Sequence, residues 1–223
     1  MRLLECESKE ILKQYQIVTP SGALVEPQDK LDIDHPVMLK AQIPIGGRGK
    51  AGGILGATTM DEANAGIEQL RATWIRGYKA NKILVEAKTE IEREFYLAVT
   101  CDTVTKSPMA IFSAEGGIEI ETLAKAQPQK IRSEHFSIKT GLPQYRAREI
   151  ISETGISGRL LLGLGNIFSR LADVFLDCDA TLAEINPLAL TPAGRLIALD
   201  CHLDIDDDPI FRHATLVDLS LIH

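Results

Sequence analysis

Cysteine, long apolar runs and excess positive charge are all scarce in this chain, and each shortage removes a class of protein. Its four cysteines, Cys6, Cys101, Cys178 and Cys201, are widely spaced and include no C-x-x-C pair. That scatter argues against a structural zinc site and against a disulfide framework, and reads as reduced, packed thiols. No apolar run approaches the roughly eighteen residues of a membrane-spanning helix, and charged residues occur from Arg2 onward. A cytoplasmic protein is the default, or a mitochondrial matrix one if a targeting peptide has been removed. Asp and Glu number 31 against 24 Lys and Arg, a net charge of −7 that argues against general nucleic-acid binding.

Two familiar phosphate loops are also missing. A P-loop ends in G-K-[ST], whereas Lys50 here is followed by Ala51, which has no hydroxyl to offer a metal. The segment Gly163-Leu164-Gly165-Asn166-Ile167-Phe168 fails the dinucleotide fingerprint at its last position and lies inside a helical pattern. The acidic run Asp204–Asp208 lacks the glycine and distal glutamate of an EF-hand, so it reads as a solvated loop or, less well, as a divalent-cation loop.

What is present is an ordinary globular composition, 45% hydrophobic and 25% charged, long enough for one large domain or two small lobes. Periodicity places a helix over Leu4–Tyr15 and a short strand at Ala23–Val25. A strand at Val37–Met38–Leu39 leads to Lys40. Thr59 with Glu62 forms a capping box for a helix whose buried face is Ala63, Ile67, Leu70 and Trp74, ending near Gly77. Lys82–Ala87 is a buried strand. Phe95, Leu97, Val99 and Cys101 alternate with Tyr96, Ala98 and Thr100, and Pro108–Ser113 pairs with them. Lys130–Phe136 is weakly strand-like, Tyr145–Thr154 is a helix stopped by Gly155, and Ser157 caps a longer helix. Strands Leu182–Leu190 and Arg195–Cys201 close the chain around Thr191-Pro192-Ala193-Gly194. The fold class is α+β: a small lobe over about 20–87, and a second lobe from about 1–19 plus 88–223.

Between Lys40 and Ile54, five glycines fall in the eight positions Gly46–Gly53, with Arg48 and Lys50 among them. Glycine accepts positive φ and lets successive N–H groups line one concavity, so polyphosphate is the natural guest; the alternative is a flexible hairpin with solvated cations. In the last hairpin, a three- or five-residue loop centred on Ala193 sets Asn186 opposite Asp200, with Glu184 and His202 on the same face. An amide oxygen and a carboxylate there suit Mg²⁺; a four-residue loop would lose the pairing, and a merely polar hairpin face is the competing reading.

The glycine loop, Val85-Glu86-Ala87, Glu115-Gly116-Gly117-Ile118-Glu119 and Glu184-Ile185-Asn186-Pro187 together resemble, in order, the ATP-grasp domain of the succinyl-CoA synthetase β subunit family. The resemblance runs from about Leu4 to Arg212 and implies an ATP-grasp fold, two α+β lobes with the nucleotide in the cleft between them. By that resemblance Lys40 and the backbone of Gly47, Arg48 and Gly49 contact phosphates, Glu86 and Ala87 lie along the adenine, and Thr89 is a further nucleotide-binding residue. Glu94 lies near the ribose, and Asn186 and Asp200 ligate Mg²⁺. Glu184 is the catalytic residue, facing a phosphorylated histidine on a partner α-type subunit that also carries the CoA site. The implied activity is that of an NDP-forming acid–CoA ligase using Mg²⁺ and ATP or GTP in a hetero-oligomer, with no nucleic acid or membrane partner. Citrate or malate activation, and a non-catalytic nucleotide-binding assembly subunit, are the alternatives. Two local departures stand out: Pro44-Ile45 replaces the His-Ala of familiar members, and Cys201-His202-Leu203 replaces Gly-Lys-Leu. The family's CoA-ligase domain would begin where this chain stops. His202 is tempting as an in-chain phosphate acceptor, but it reads better as a supporting group.

Overall fold

A computed structural model describes residues 1–27, 29, 33–208 and 210–213, without the side chain of residue 210. The chain divides into two compact units: Leu4–Cys6 with Pro20–Glu90, and Met1–Leu3, Glu7–Thr19 and Ile91–His223. Residues 214–223, expected in the second lobe, lie outside the described residues. Helix α1, Glu5–Gln14, contributes its first residues to the smaller unit and the rest to the larger.

The smaller unit is a four-stranded antiparallel sheet backed by one helix. Its strands are β1 (Gly22–Val25), β2 (Val37–Ala41), β3 (Ile54–Ala57) and β6 (Ile83–Ala87), in the order β1-β6-β2-β3. Helix α2, Met60–Ala72, lays Ala63, Ile67 and Leu70 on Leu39 and its neighbours. Thr59 Oγ1 accepts from the Glu62 N–H, while the Glu62 carboxylate reaches the backbone N–H and hydroxyl of Thr58.

The helix does not extend to Gly77. It stops at Thr73, and Trp74–Ile75 and Tyr78–Lys79 form a short hairpin, β4 and β5. Ile75 is 1% exposed but Trp74 is 68% exposed, so Trp74 is not on a buried helix face. The β-branched and aromatic residues Thr73, Trp74 and Ile75 favour extended backbone. Arg76 and Gly77, at φ 47° and 88°, then close a two-residue turn of the primed kind that matches strand twist.

The larger unit is built on a six-stranded antiparallel sheet. Strands β7 (Arg93–Asp102), β8 (Ser107–Ser113), β9 (Ile131–His135), β10 (Ala180–Leu190) and β11 (Leu196–Ala198) lie in the order β11-β10-β7-β8-β9, and β12 (Cys201–Ile205) also pairs with β10. Helix α3 (Ile120–Ala126), not foreseen from the sequence, follows the glycine turn after β8. Helices α4 (Gln144–Ser152) and α5 (Gly158–Asp177) pack closely, with Arg148 Cγ where a Cβ on Gly165 would sit, 2.6 Å away. Ser157 starts α5 in extended geometry but makes no side-chain cap. Phe95 stacks on Phe112 and Phe112 meets Phe168 at a tilt of 45°, both at a ring spacing of 6.3 Å, through the core. Because β7 is central, Tyr96 and Ala98 on its second face are buried too, and the alternation read from sequence separates two buried faces. The cysteines form no disulfide; Cys178 and Cys201 are buried as packed thiols, whereas Cys101 is exposed. Among the described residues no helix is long and apolar enough to cross a membrane.

The acidic run is used within the larger unit. Asp204 forms a bidentate pair with Arg2, and Asp207 pairs with the amino terminus. No cation-loop geometry is needed to account for either carboxylate.

Candidate functional site

In the smaller unit, β2 and β3 pair antiparallel from Val37↔Ala57 to Lys40↔Ile54, and the glycine-rich segment is the loop between them. The Ala51 and Gly53 N–H groups both donate to Arg48 O, and Gly52 donates to Gly49 O, folding the loop into successive turns. Gly47, at φ 68°, and Gly49 are exposed. Arg48 is the buried member: its guanidinium donates to Ala41 O at 3.0 Å and to Glu5 Oε2 at 2.6 Å. The loop's own arginine therefore faces inward, as a staple between loop and strand.

Lys40 shares that carboxylate. Its Nζ lies 2.8 Å from Glu5 Oε1 and 2.9 Å from Glu86 Oε2. Glu5, Lys40, Arg48 and Glu86 are each at most 6% exposed, so these two cations and two anions are buried together. Such groups are costly to desolvate and are kept only when well paired. Glu86 lies between β1 and β2, opposite Gly22 and Met38. Directly after it, the Ala87 N–H donates to Ser21 O and the Lys88 N–H to Pro36 O. Thr89 follows, half-buried, within the same unit.

In the larger unit the closing hairpin has the odd register. Leu190↔Leu196 brackets a five-residue connection centred on Ala193, and Glu184↔His202 continues the same register beyond it. Asn186 and Asp200 stand opposite each other, with the Asn186 N–H donating to Asp200 O at 3.1 Å. Against β7 the register slips between Ile185 and Leu188, so Asn186 and Pro187 together oppose Tyr96. A bulge of this kind re-aims side chains and is common beside functional sites. The Asn186–Pro187 peptide is cis.

The Glu115–Glu119 turn holds the Asn186 carboxamide. Asn186 Oδ1 accepts from the Gly117 N–H at 2.9 Å, and Nδ2 donates to Ile118 O at 3.0 Å. Gly116 has to be glycine, since a Cβ there would lie 2.6 Å from the backbone of Phe95. Gly117, at φ 69°, leaves a Cβ-sized space occupied by the Glu94 carboxylate, 2.6 Å away. Glu94 is thereby placed against the turn, and Glu115 pairs with Lys130.

Glu184 receives a hydrogen bond from the Tyr96 hydroxyl at 2.9 Å. Burial pushes the Glu184 carboxyl above its ordinary range; the charges of Asp200 and Glu121 push the same way, while the bonds from Tyr96 and Asn186 hold it back. Tyr96 itself is driven upward by burial and by the Glu184 charge. Sequence reasoning had not picked out Tyr96 or the carboxamide clamp; the alternation of β7 placed Tyr96 on a strand, but only strand order brings it to Glu184.

The donor set at this hairpin fits a hard cation. One amide oxygen retains a lone pair beyond its bond to Gly117, and Asp200, a carboxylate residue, stands opposite Asn186 across the hairpin. Among the described residues no three His, Cys, Asp or Glu side chains form a metal cage. A cation here would therefore draw its other ligands from water and phosphate oxygens, the habit of Mg²⁺.

A grasp-type α+β architecture with a glycine-rich strand connection and an Asn/Asp hairpin is the pattern of nucleotide-binding grasp folds. The ATP-grasp domain family matches residues 2–190, and the chain belongs to it. It is 41% identical over 96% of its length to the succinate–CoA ligase [ADP-forming] subunit beta of Methanocaldococcus jannaschii, covering 59% of that protein. With the Ignicoccus hospitalis protein of the same description it is 42% identical over 97% of this chain and 58% of the relative. The chain thus spans somewhat under two thirds of these relatives. Among solved structures it is similar to the dinucleotide forming acetyl-coenzyme A synthetase 1 of Ca. Korarchaeum cryptofilum, with a TM-score of 0.70, 17% identity, and coverage of 92% and 93% of the two chains. That likeness speaks to the fold alone.

Proposed function

We propose that this chain is the nucleotide-binding ATP-grasp portion of an NDP-forming acid–CoA ligase of the succinate–CoA ligase type. The reaction is acid + CoA + NTP ⇌ acyl-CoA + NDP + phosphate, with the phosphoryl group carried on a histidine of an α-type partner. Support comes from the sequence similarity to the two β subunits and, in this chain, from the pairing of Asn186 with Asp200 in one hairpin register. The exposed Gly47 and Gly49 serve the phosphates through their backbone, and Lys40, buried against Glu5 and Glu86, serves them by exchanging one of those carboxylates for a phosphate oxygen; Glu86 and Ala87 border the base, with Thr89 a further nucleotide-binding position. Because the Ala87 N–H is already bonded to Ser21 O, base contacts in that segment fall to other main-chain atoms. Mg²⁺, when bound, neutralises phosphate charge from Asn186 Oδ1 and Asp200. Glu94 lies toward the ribose, and Glu184, steadied by Tyr96, faces the partner's histidine and stabilises its imidazolium form.

Calorimetry of ADP and ATP binding, with and without Mg²⁺, tests this on the 223-residue chain. Asp200→Asn removes a charge while nearly keeping shape. It is expected to weaken Mg²⁺-dependent binding by about tenfold, the loss of one charge-assisted contact, and to leave metal-free binding close to the parent. Equal loss in both conditions would discard the metal assignment.

A further inference from the structure

Arg48 is the arginine the glycine loop advertises, but its guanidinium is buried against Glu5 and Ala41 O. A second arginine stands at the loop's outer side. Arg76, at the tip of the β4–β5 hairpin, is exposed and donates from Nη1 to Gly46 O at 3.2 Å. Its Nη2, Nη1 and Cζ lie 3.3, 3.4 and 3.6 Å from where a Cβ on Gly47 would be. The guanidinium therefore lies along the Gly46–Gly47 backbone, in space that any other residue at position 47 would fill. Among the described residues its partner is a neutral carbonyl, not a carboxylate. Arg76 also holds φ 47°, a left-handed conformation uncommon for a residue with a side chain.

We infer that Arg76 is a phosphate-binding residue of the glycine loop, supplying the exposed cation that Arg48 does not. The inference rests on the nucleotide-binding reading of this loop. Positive-φ glycine backbone with outward N–H groups forms an anion-binding concavity, and a planar guanidinium beside it adds a fork of donors matched to phosphate oxygens. Four of its five N–H donors remain beyond the one given to Gly46 O. Lysine at this place would supply charge without the fork. The ligand recognised is the polyphosphate of a nucleotide, independent of the base.

The test compares the parent chain with Arg76→Asn and Arg76→Lys, titrating AMP, ADP and ATP at two salt concentrations. Asparagine is the neutral variant of choice because it tolerates the left-handed turn. Arg76→Asn is expected to weaken ADP and ATP binding by roughly five- to twentyfold, with a smaller loss for AMP and a shallower salt dependence. Arg76→Lys should recover part of the loss. A merely structural role in the hairpin would lower all three affinities by one factor and leave the salt dependence unchanged, and that result overturns the inference. So would an Arg76→Asn variant that binds ADP as tightly as the parent. If the parent itself binds no nucleotide, the underlying reading of the loop fails, and the inference with it.

Discussion

Asp102 closes the turn between β7 and β8 with three bonds: from the Val104 N–H at 2.9 Å, the Thr105 hydroxyl at 2.9 Å and His135 Nε2 at 2.8 Å. The Val104 amide, then His135, then Thr105 hold its carboxyl down to about 2, from an ordinary 3.8. A depressed folded-state value stabilises the fold above the unfolded-state value, and that stability disappears as pH falls through the folded one. Asp102→Asn is therefore expected to lower the melting temperature at neutral pH. The gap to the parent should close between pH 4 and pH 2, as measured by thermal melts across that range. A gap that persisted below pH 2 would mean that shape, not charge, carries the effect. At this scale the sequence is only partly legible. Lys40, Asn186 and Asp200 announce themselves by motif; Lys40 and Asn186 lie in β2 and β10, whereas Asp200 falls in the bend between β11 and β12, where the sequence reads as one continuous strand. The partnership of Glu5 with Lys40 and Arg48 does not announce itself, because those residues are 35 and 43 positions apart and no short-range pattern links them. An arginine in a glycine loop reads as a ligand until its partner is known.

Among the elements, the turn Glu115–Glu119 links sequence to site most directly. Gly116 lets the chain pass against Phe95, Gly117 supplies the N–H that fixes Asn186, and Ile118 supplies the carbonyl. Gly116→Ala would drive a Cβ to within 2.6 Å of Phe95 backbone atoms, which cannot swing aside as a side-chain tip could. Overpacking of this sort costs roughly 1–3 kcal/mol, readable as a lower denaturation midpoint in urea, and should also loosen the carboxamide clamp. A variant as stable as the parent would show that the turn gives way more easily than its contacts suggest. Long periodic elements are legible in the sequence, helices α1, α4 and α5 and strands β7, β8 and β10 among them. The register of the closing hairpin is legible only conditionally: the sequence ties the Asn186–Asp200 pairing to an odd loop but leaves the parity open, and the five-residue connection of the structure supplies it. The end of α2 is not legible. Trp74 falls at helical spacing from Leu70, but the two-residue turn at Arg76–Gly77 needs positive φ at both places, and the hairpin that results takes Trp74 into solvent. Helix α3 is missed because seven residues give too short a pattern to separate from a loop.

For the whole molecule, the proposed function raises the question of where a phosphoryl group would go. Two compact units and a share of 58–59% of the curated relatives' length leave the acceptor to be argued from chemistry. Among the described residues, His202 is the histidine that stands beside Glu184, directly opposite it in the β10–β12 ladder. Its backbone is fixed in mid-strand, and in-line transfer requires the acceptor nitrogen to be brought up to the terminal phosphate. A mobile segment meets that need; a side chain on a paired strand does not. The 223-residue chain, given γ-labelled ATP, Mg²⁺, CoA and succinate, is therefore expected to form neither acyl-CoA nor a stable phosphoprotein. Addition of an α-type subunit should place label on that subunit, lost in acid and retained in base as a phosphohistidine is. Label on this chain alone that disappears in His202→Ala would make His202 the acceptor. The Glu184–His202 pair would then carry the transfer within one sheet, and the partner's histidine would not be needed.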